Sequence, residues 1–126
     1  MNTTPIHTPH APAPIGPYSQ AVAANGMLFI SGQIAIDPAT GEMLGNDLAR
    51  QAEQVMRNLQ AILEAAGTSF AKVAKTGIFL APGMDFGTVN GIYNRYFEGN
   101  YPARETVWVN ELPKKALVEI SMIALL

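Results

Sequence analysis

Two strand-like segments separated by a turn signal open the folded part of the chain. They cover residues 18–24 and 27–31, and Asn25-Gly26 lies between them. Both turn residues tolerate the positive φ that a two-residue hairpin requires. The pattern predicts a β-hairpin, followed by a loop at residues 37–46, where a proline and two glycines are typical of turns.

An amphipathic helix of about 20 residues is predicted next, because apolar side chains recur at the i, i+3, i+4 spacing of one helical face. Asn46 or Asp47 would cap its start, and Gly67 would end it. This stripe indicates core packing. Its members are Leu48, Ala52, Val55, Met56, Leu59, Ile62, Leu63 and Ala66.

A second helix is predicted from about Phe86 to Phe97, with Asp85 as its cap and Gly99 just past its end. The remaining strands are predicted at residues 73–80, 105–109 and 117–126. The element order is therefore ββαβαββ. Strands separated by helices favour parallel pairing with right-handed crossovers, so we expect an α+β fold with both helices on one face of a mixed sheet.

The last predicted strand is apolar on both sides, which is typical of a strand buried on both faces. One side carries Val118, Ile120, Met122 and Ala124, and the other carries Leu117, Glu119, Ser121 and Ile123. Two helices cover only one face of the sheet. Because large exposed apolar patches usually mark interfaces, we expect a homo-oligomer.

The first 16 residues form a proline-rich arm in this interpretation, and residues 17–126 form a single domain. Prolines lack the backbone N–H, so the arm should run extended without a regular hydrogen-bond ladder. His7 and His10 lie in this arm without acidic or cysteine neighbours. We expect them to be solvated and not to bind metal.

Composition narrows the functional classes. The chain has no cysteine, which excludes disulfides, a thiolate nucleophile and Cys-ligated metals. A net charge of −2 argues against nucleic-acid binding, which normally needs a basic surface. No basic side chain precedes Arg50, and no apolar run approaches a membrane span, so we expect a cytoplasmic protein without a targeting signal and without membrane association.

Two charged residues lie in predicted strands, Arg104 and Glu119. Arg104 could simply be a surface ion-pair partner of Glu105 or Glu111, and Glu119 could belong to a buried salt bridge. If the last two strands pair, or if subunits bring these positions together, the arginine and the carboxylate would face one apolar cleft. A guanidinium could then bind a substrate carboxylate through two hydrogen bonds, and Glu119 could polarise a water.

Several sequence segments together resemble the reactive-intermediate deaminases of the RidA/YjgF family, from near Ile15 to the C-terminus. Sequence motifs of nucleotide-binding, zinc-protease and α/β-hydrolase proteins are absent, by contrast. The segments that carry the resemblance are APAPIGPYSQAV, LFISGQIAIDPATGE, QAEQVMRNLQAILEAAG, KTGIFL, DFGTVNGIYNRYF, YPAR and LPKKALVEISMIA.

The resemblance implies a chorismate-mutase-like fold and a homotrimer whose sheets enclose a central barrel, with three ligand pockets between subunits. It also implies the reaction, which is the hydrolysis of reactive 2-imino acids or their enamine tautomers to 2-keto acids and ammonia. Such substrates arise from pyridoxal-phosphate dehydratases. No metal and no organic cofactor would take part.

Matching positions carry the roles that the resemblance implies. Arg104 would hold the substrate carboxylate, and Glu119 would position the attacking water and shuttle its proton. The backbone carbonyl near Thr106 would accept a hydrogen bond from the imine nitrogen. Many family members have cysteine where this chain has Thr106, and an acidic residue is common at the position of Ser121. The first difference could shift substrate preference, and the second concerns the interface more than the chemistry.

The resemblance places four further residues at the pocket. Tyr18 would line it and could reach it from a neighbouring subunit. Ser31 and Gly32 would supply polar contacts and a close backbone approach, and Asn90 would lie at the rim.

Three alternatives to the deaminase stay open at this point. A non-catalytic regulatory protein could use the same arginine to bind keto acids or other small carboxylates, although such a protein would need only Arg104 and not Glu119. Ribonuclease or translation-inhibiting activity is a second alternative, which the charge balance disfavours. Chaperone-like holding of unfolded chains is the third.

Overall fold

A six-stranded mixed sheet carries two helices on one of its faces in the computed structural model, which describes residues 2–126. The elements are β1 Thr4–Ile6, β2 Ala21–Ala24, β3 Met27–Gln33, α1 Leu48–Ala65, β4 Val73–Leu80, α2 Phe86–Asn94, β5 Ala103–Trp108 and β6 Val118–Leu125. Short 3-10 turns cover Phe70–Lys72 and Pro113–Lys115.

The strands lie in the order β1-β2-β3-β6-β4-β5. β4 and β5 pair in parallel, while every other neighbouring pair is antiparallel. The predicted mixed sheet is confirmed. The last two strands, however, do not pair, because the crossover through α2 places β5 on the outer side of β4 while β6 fills the gap between β3 and β4.

Local sequence signals account for the hairpin and for both helix starts. Asn25 and Gly26 adopt positive φ values of 52° and 75° between β2 and β3. The carboxylate of Asp47 accepts a hydrogen bond from the Arg50 amide at the start of α1. The carboxylate of Asp85 caps α2 in the same way.

The second helix ends at Asn94, whereas the sequence pattern predicted an end at Phe97. Its final turn tightens, because the amides of Arg95, Tyr96 and Phe97 each donate to the carbonyl three residues earlier. The apolar pattern continues through this turn, which explains why the prediction was too long.

The core lies between the helices and the sheet. Six residues of the predicted apolar stripe and the helix-facing residues of β6 are buried, while Leu48 and Ala66 at the two ends of the stripe are only partly buried. Two carboxamide side chains lie among these apolar residues. Gln51 is 1% exposed, and Asn58 is fully buried. Both amides donate to loop carbonyls, so their burial does not leave a polar group unpaired.

The N-terminal arm belongs to the sheet, which corrects the expectation of a segment without a hydrogen-bond ladder. β1 pairs with β2, and Pro5 tolerates this position because β1 is an edge strand. Thr8 and Ala11 are buried beyond β1, while His7 and His10 are exposed. Residue 1 of the predicted arm lies outside the described residues.

The second face of the sheet carries no helix. Phe29 and Val107 point outward from it, and each is 42% exposed. Separately, no helix within residues 2–126 is long and apolar enough to cross a membrane.

Candidate functional site

A cleft of about 350 Å³ surrounds Glu119 on the uncovered side of the sheet. Its neighbours on β6, Val118 and Ile120, are completely buried under the helices. Strand alternation therefore turns Glu119 to the opposite face. The residues that share this cleft are Pro12, Ala13, Ile15, Tyr18, Gln20, Ser31, Gly32, Gln33, Ile34, Ile36 and Pro113.

The Glu119 carboxylate is half-buried, and burial raises its pKa. No cation lies within salt-bridge distance of it in the part of the chain that the structure describes. A buried salt bridge within one subunit therefore does not account for this residue. Gly32 borders the carboxylate so closely that a Cβ there would lie 2.5 Å from Oε2. Only glycine leaves room for Glu119 in this position.

Arg104 lies in a second cleft, between β5 and α2. Its Nη1 donates a 2.8 Å hydrogen bond to the side-chain oxygen of Asn90. The guanidinium carbon also lies 5.0 Å from the ring centroid of Tyr93 and 5.3 Å from that of Phe86. Two aromatic rings and one amide thus orient the guanidinium and leave part of its donor edge free.

The ion-pair interpretation of Arg104 is not supported within residues 2–126. The nearest acidic residue in sequence, Glu105, points to the opposite side of β5 and pairs with Lys75 at 3.2 Å. Arg104 itself makes no salt bridge in the described residues. Its positive charge is therefore available to an anion from outside this subunit.

The two charged residues lie on opposite faces of the sheet in one subunit. Arg104 on β5 pairs with Thr76 on β4, and Glu119 on β6 pairs with Phe79 on β4, so each charged side chain points to the same face as its partner on β4. Thr76 is fully buried under the helices, whereas Phe79 is three residues along and points to the other side. One chain therefore cannot place the arginine and the carboxylate in the same cleft.

The predicted pocket residues divide between the two clefts. Tyr18, Ser31 and Gly32 line the cleft of Glu119, whereas Asn90 lies with Arg104. The Ser31 hydroxyl donates to the carbonyl of Ser19 at 2.6 Å. Each cleft thus holds one part of the predicted constellation.

Thr106 lies two residues after Arg104, on the same side of β5. Its hydroxyl oxygen is buried and has no hydrogen-bond partner in the described residues. Thr106 does not line either cleft within one subunit.

Several residues that shape the clefts were not predicted from the sequence. Gln20 is 2% exposed and bonds to four backbone groups of the N-terminal arm. Tyr93 and Phe86 were assigned only to a helix, yet both contact Arg104. The sequence signal available for Phe86 and Tyr93 was their spacing, because the two aromatic residues lie seven positions, or two helical turns, apart.

No group of three or more His, Cys, Asp or Glu side chains lies together between residues 2 and 126.

Tyr96 has a pKa raised to about 12, because burial and the neighbouring Glu53 both disfavour its ionised form. Tyr96 lines neither the Glu119 nor the Arg104 cleft, so its hydroxyl is a structural group.

Comparisons with known proteins agree on one family. The family model of Endoribonuclease L-PSP matches residues 8–126. RutC family protein slr0709 of Synechocystis is 51% identical over 96% of this chain and 95% of its own. The 2-iminobutanoate/2-iminopropanoate deaminase of Rattus norvegicus is 49% identical over 94% of this chain and 87% of its own. The crystal structure of the Rid-family protein YyfA of Yersinia pestis superposes with a TM-score of 0.96, with 48% identity over 99% of this chain and all of that one.

Proposed function

This chain belongs to the endoribonuclease L-PSP family, which includes the RidA/YjgF proteins, and we propose that it is a hydrolytic deaminase of 2-imino acids. Its substrates are 2-imino acids such as 2-iminobutanoate and 2-iminopropanoate, or their enamine tautomers. Its products are 2-keto acids and ammonia. The family is established by the comparisons, and the activity of this chain is the proposal.

One observation carries the proposal, which is that the chain presents two complementary charges without partners. Arg104 is oriented by an amide and two rings but forms no ion pair with a carboxylate within residues 2–126. Glu119 is half-buried, and it forms no ion pair with a cation in the same described residues. A 2-imino acid offers a carboxylate next to an electrophilic carbon, so it needs an anion-binding group and a proton carrier side by side. These are the two groups that the chain supplies.

Arg104 binds the substrate carboxylate through two parallel N–H donors. Asn90 and the aromatic rings hold the guanidinium in place, which reduces the ordering cost when the substrate binds. The carboxylate is then fixed, and the C=N carbon has a defined position relative to the pocket.

Glu119 acts on water. Its carboxylate takes a proton from the water while the water oxygen bonds to the carbon of the protonated C=N group, whose π electrons pass to the nitrogen, and a tetrahedral amino alcohol results. Glu119 then returns its proton to the departing nitrogen. The C–N bond breaks, ammonia leaves, and the hydroxyl loses its proton to become the keto group. The raised pKa of Glu119 suits both steps, because a group that acts first as a base and then as an acid works best when its pKa is close to the ambient pH.

The remaining pocket residues have supporting roles in this proposal. The backbone carbonyl near Thr106 accepts a hydrogen bond from the imine nitrogen. Ser31 and Gly32 contact the substrate beside Glu119, and Tyr18 closes the pocket from its exposed position at the cleft.

The site is composite in this proposal, with Arg104 from one subunit and Glu119 from the next. Two facts support it. The groups lie on opposite faces of the sheet in one chain, and the uncovered face exposes apolar side chains such as Phe29 and Val107. A homotrimer in which the uncovered faces enclose a central barrel would cover those side chains.

The test is an imine-hydrolysis assay. An amino-acid oxidase or a dehydratase generates 2-iminobutanoate in situ, and keto-acid release is followed with wild type, Arg104→Ala and Glu119→Gln. We expect Arg104→Ala to lose about a hundredfold in kcat/KM, as for two charge-assisted hydrogen bonds. Glu119→Gln should lose on the order of 10² to 10⁴. The matched controls are Arg50→Ala and Glu64→Gln, which alter exposed residues of α1.

The binding protein is the alternative that this assay separates. If wild type leaves the rate of keto-acid release unchanged across several imino acids, yet a keto acid binds through Arg104, the protein is a carboxylate sensor or carrier. The family is named after an endoribonuclease, but the net charge of −2 gives no support for RNA binding by this chain.

A further inference from the structure

A single buried side chain holds the N-terminal segment against the sheet. The side-chain oxygen of Gln20 accepts a 2.8 Å hydrogen bond from the Thr8 amide. Its nitrogen lies 3.0 Å from the Thr8 carbonyl, 3.2 Å from that of Ala11 and 2.9 Å from that of Pro12. Gln20 is 2% exposed, so these bonds are shielded from water and their loss would leave polar groups unpaired.

The segment held by Gln20 continues directly into one wall of the Glu119 cleft. Pro12, Ala13 and Ile15 form this wall. The amide of Ile15 donates to the Tyr18 hydroxyl at 3.2 Å, which links the wall to the next residue of the cleft. All three side chains of this wall are apolar, and none of the three residues belongs to a strand or helix.

A second wall of the cleft is apolar as well, and its backbone is also held by a buried side chain. Ile34 and Ile36 line it, and the carbonyls of both accept hydrogen bonds from the buried side chain of Asn58, at 3.3 and 3.0 Å. Glu119 is the only charged residue among those that line the cleft in the described chain. A ligand with one polar end at Glu119 would therefore meet only aliphatic surface along the two walls.

We propose that Gln20 is a positioning residue that fixes residues 12–15 as the wall against which the substrate's aliphatic side chain packs. The wall thereby sets the preference for side-chain length. This inference rests on the proposed function, because it takes the ligand to be a 2-imino or 2-keto acid whose side chain enters the Glu119 cleft. Gln20 touches no reacting atom, and it acts only through the wall.

The physical consequence is a dependence of affinity on chain length. Each methylene that leaves water for an apolar wall contributes a factor of about four in binding. That gain requires a wall in a fixed position, because a loose segment would lose part of it in ordering. Release of residues 12–15 should therefore reduce the gain per methylene and affect the shortest ligand least.

The experiment measures binding of saturated 2-keto acids from pyruvate to 2-ketohexanoate by calorimetry. The variants are Gln20→Ala and Ile15→Ala. Ile15 is 54% exposed, so its truncation opens no cavity in the core, and this variant keeps the test valid if Gln20→Ala does not fold. The matched control is Gln51→Ala, which removes an equally buried glutamine that ties the carbonyls of Leu44 and Gly45 and lines neither cleft.

We expect wild type and Gln51→Ala to gain about fourfold in affinity per methylene, and Gln20→Ala and Ile15→Ala to gain less than about twofold. The inference is overturned if wild type shows no chain-length gain, if Gln20→Ala keeps the wild-type gain, or if Gln51→Ala loses it equally. Binding of keto acids needs no turnover. A protein that binds with this chain-length pattern but does not hydrolyse imines would contradict the proposed function and leave this inference standing.

Discussion

At the scale of single residues, the half-buried carboxylate of Glu119 lowers stability when it is ionised. Burial raises its pKa above the ordinary value of about 4.5, so the folded protein holds this proton to a higher pH than the unfolded chain does. Stability is therefore highest while the carboxyl is protonated, and it falls as the pH rises from about 4.5 through the raised pKa. In the proposed mechanism, activity at neutral pH therefore depends on a charge that opposes folding.

Glu119→Gln should for this reason melt at a higher temperature than wild type at pH 7. The difference should shrink as the pH falls and disappear below about pH 4.5, where both side chains are neutral. Melting curves by circular dichroism between pH 4 and pH 8 measure it. The exposed Glu64→Gln variant is the control, and a stabilisation of Glu119→Gln that does not change with pH would contradict this account.

Tyr93 contacts Arg104 with its ring and Thr76 with its hydroxyl. The hydroxyl donates to the Thr76 oxygen at 3.0 Å, and the ring centroid lies 5.0 Å from the guanidinium carbon. Tyr93→Leu should weaken pyruvate binding about fivefold, because a partly desolvated cation–ring contact is worth about 1 kcal/mol. Tyr93→Phe keeps the ring and should change the affinity by less than about twofold. Calorimetric titration separates the two, and equal losses would assign the effect to the hydroxyl and not to the ring.

At the scale of elements, the β2–β3 hairpin depends on one glycine. Gly26 has a φ of 75°, and a Cβ placed there would meet no atom within 4 Å. Gly26→Ala should thus lower the free energy of unfolding by about 1 kcal/mol through backbone strain alone. Urea denaturation checks the value. Gly45→Ala is the matched control, because Gly45 also has open space around it but no positive φ, and a similar loss there would refute the argument.

The elements that the sequence predicted are those with short-range causes. Asn25-Gly26 predicted the hairpin, and β4 was predicted at the residues that it occupies. Asp85 predicted the start of α2, and of the two caps predicted for α1, Asn46 or Asp47, the structure has Asp47. β1 was missed because its pairing with β2 is a tertiary contact, and the prolines around it argued against any strand. Proline is tolerated in an edge strand, but the sequence does not show that β1 lies at the edge of the sheet.

The candidate site was predictable only as a set of residues and not as a geometry. Arg104 and Glu119 stood out because a charge in an apolar strand is costly without a partner. Their placement on opposite faces follows from the insertion of β6 beside β4, which is a long-range choice of strand order. Gln20 gave no sequence signal, because its burial depends on how the arm folds back over the sheet.

At the scale of the whole molecule, a composite site makes activity a property of the assembly. Arg104 and Glu119 cannot meet within one chain, so each subunit would give its arginine to one site and its carboxylate to another. Subunits with opposite defects should therefore complement each other. A subunit with Glu119→Gln still offers Arg104, and a subunit with Arg104→Ala still offers Glu119.

Co-expression of Arg104→Ala and Glu119→Gln subunits, each with a different affinity tag, produces an unselected mixture of oligomers, and purification of a portion through both tags in turn shows that mixed oligomers are present. With equal and random assortment, one site in about four combines an intact arginine with an intact carboxylate, because each half is intact with a probability of about one half. We expect the unselected mixture to recover about a quarter of wild-type kcat, while either variant alone stays near background. Arg104→Ala mixed with the double variant is the control and should remain inactive, since no site in it contains an intact arginine. A mixture as inactive as this control would show that the two residues do not act in a shared site between subunits. Recovery would require the trimer interface to bring the edge strand β5 of one subunit, which carries Arg104, to the Glu119 cleft of the next.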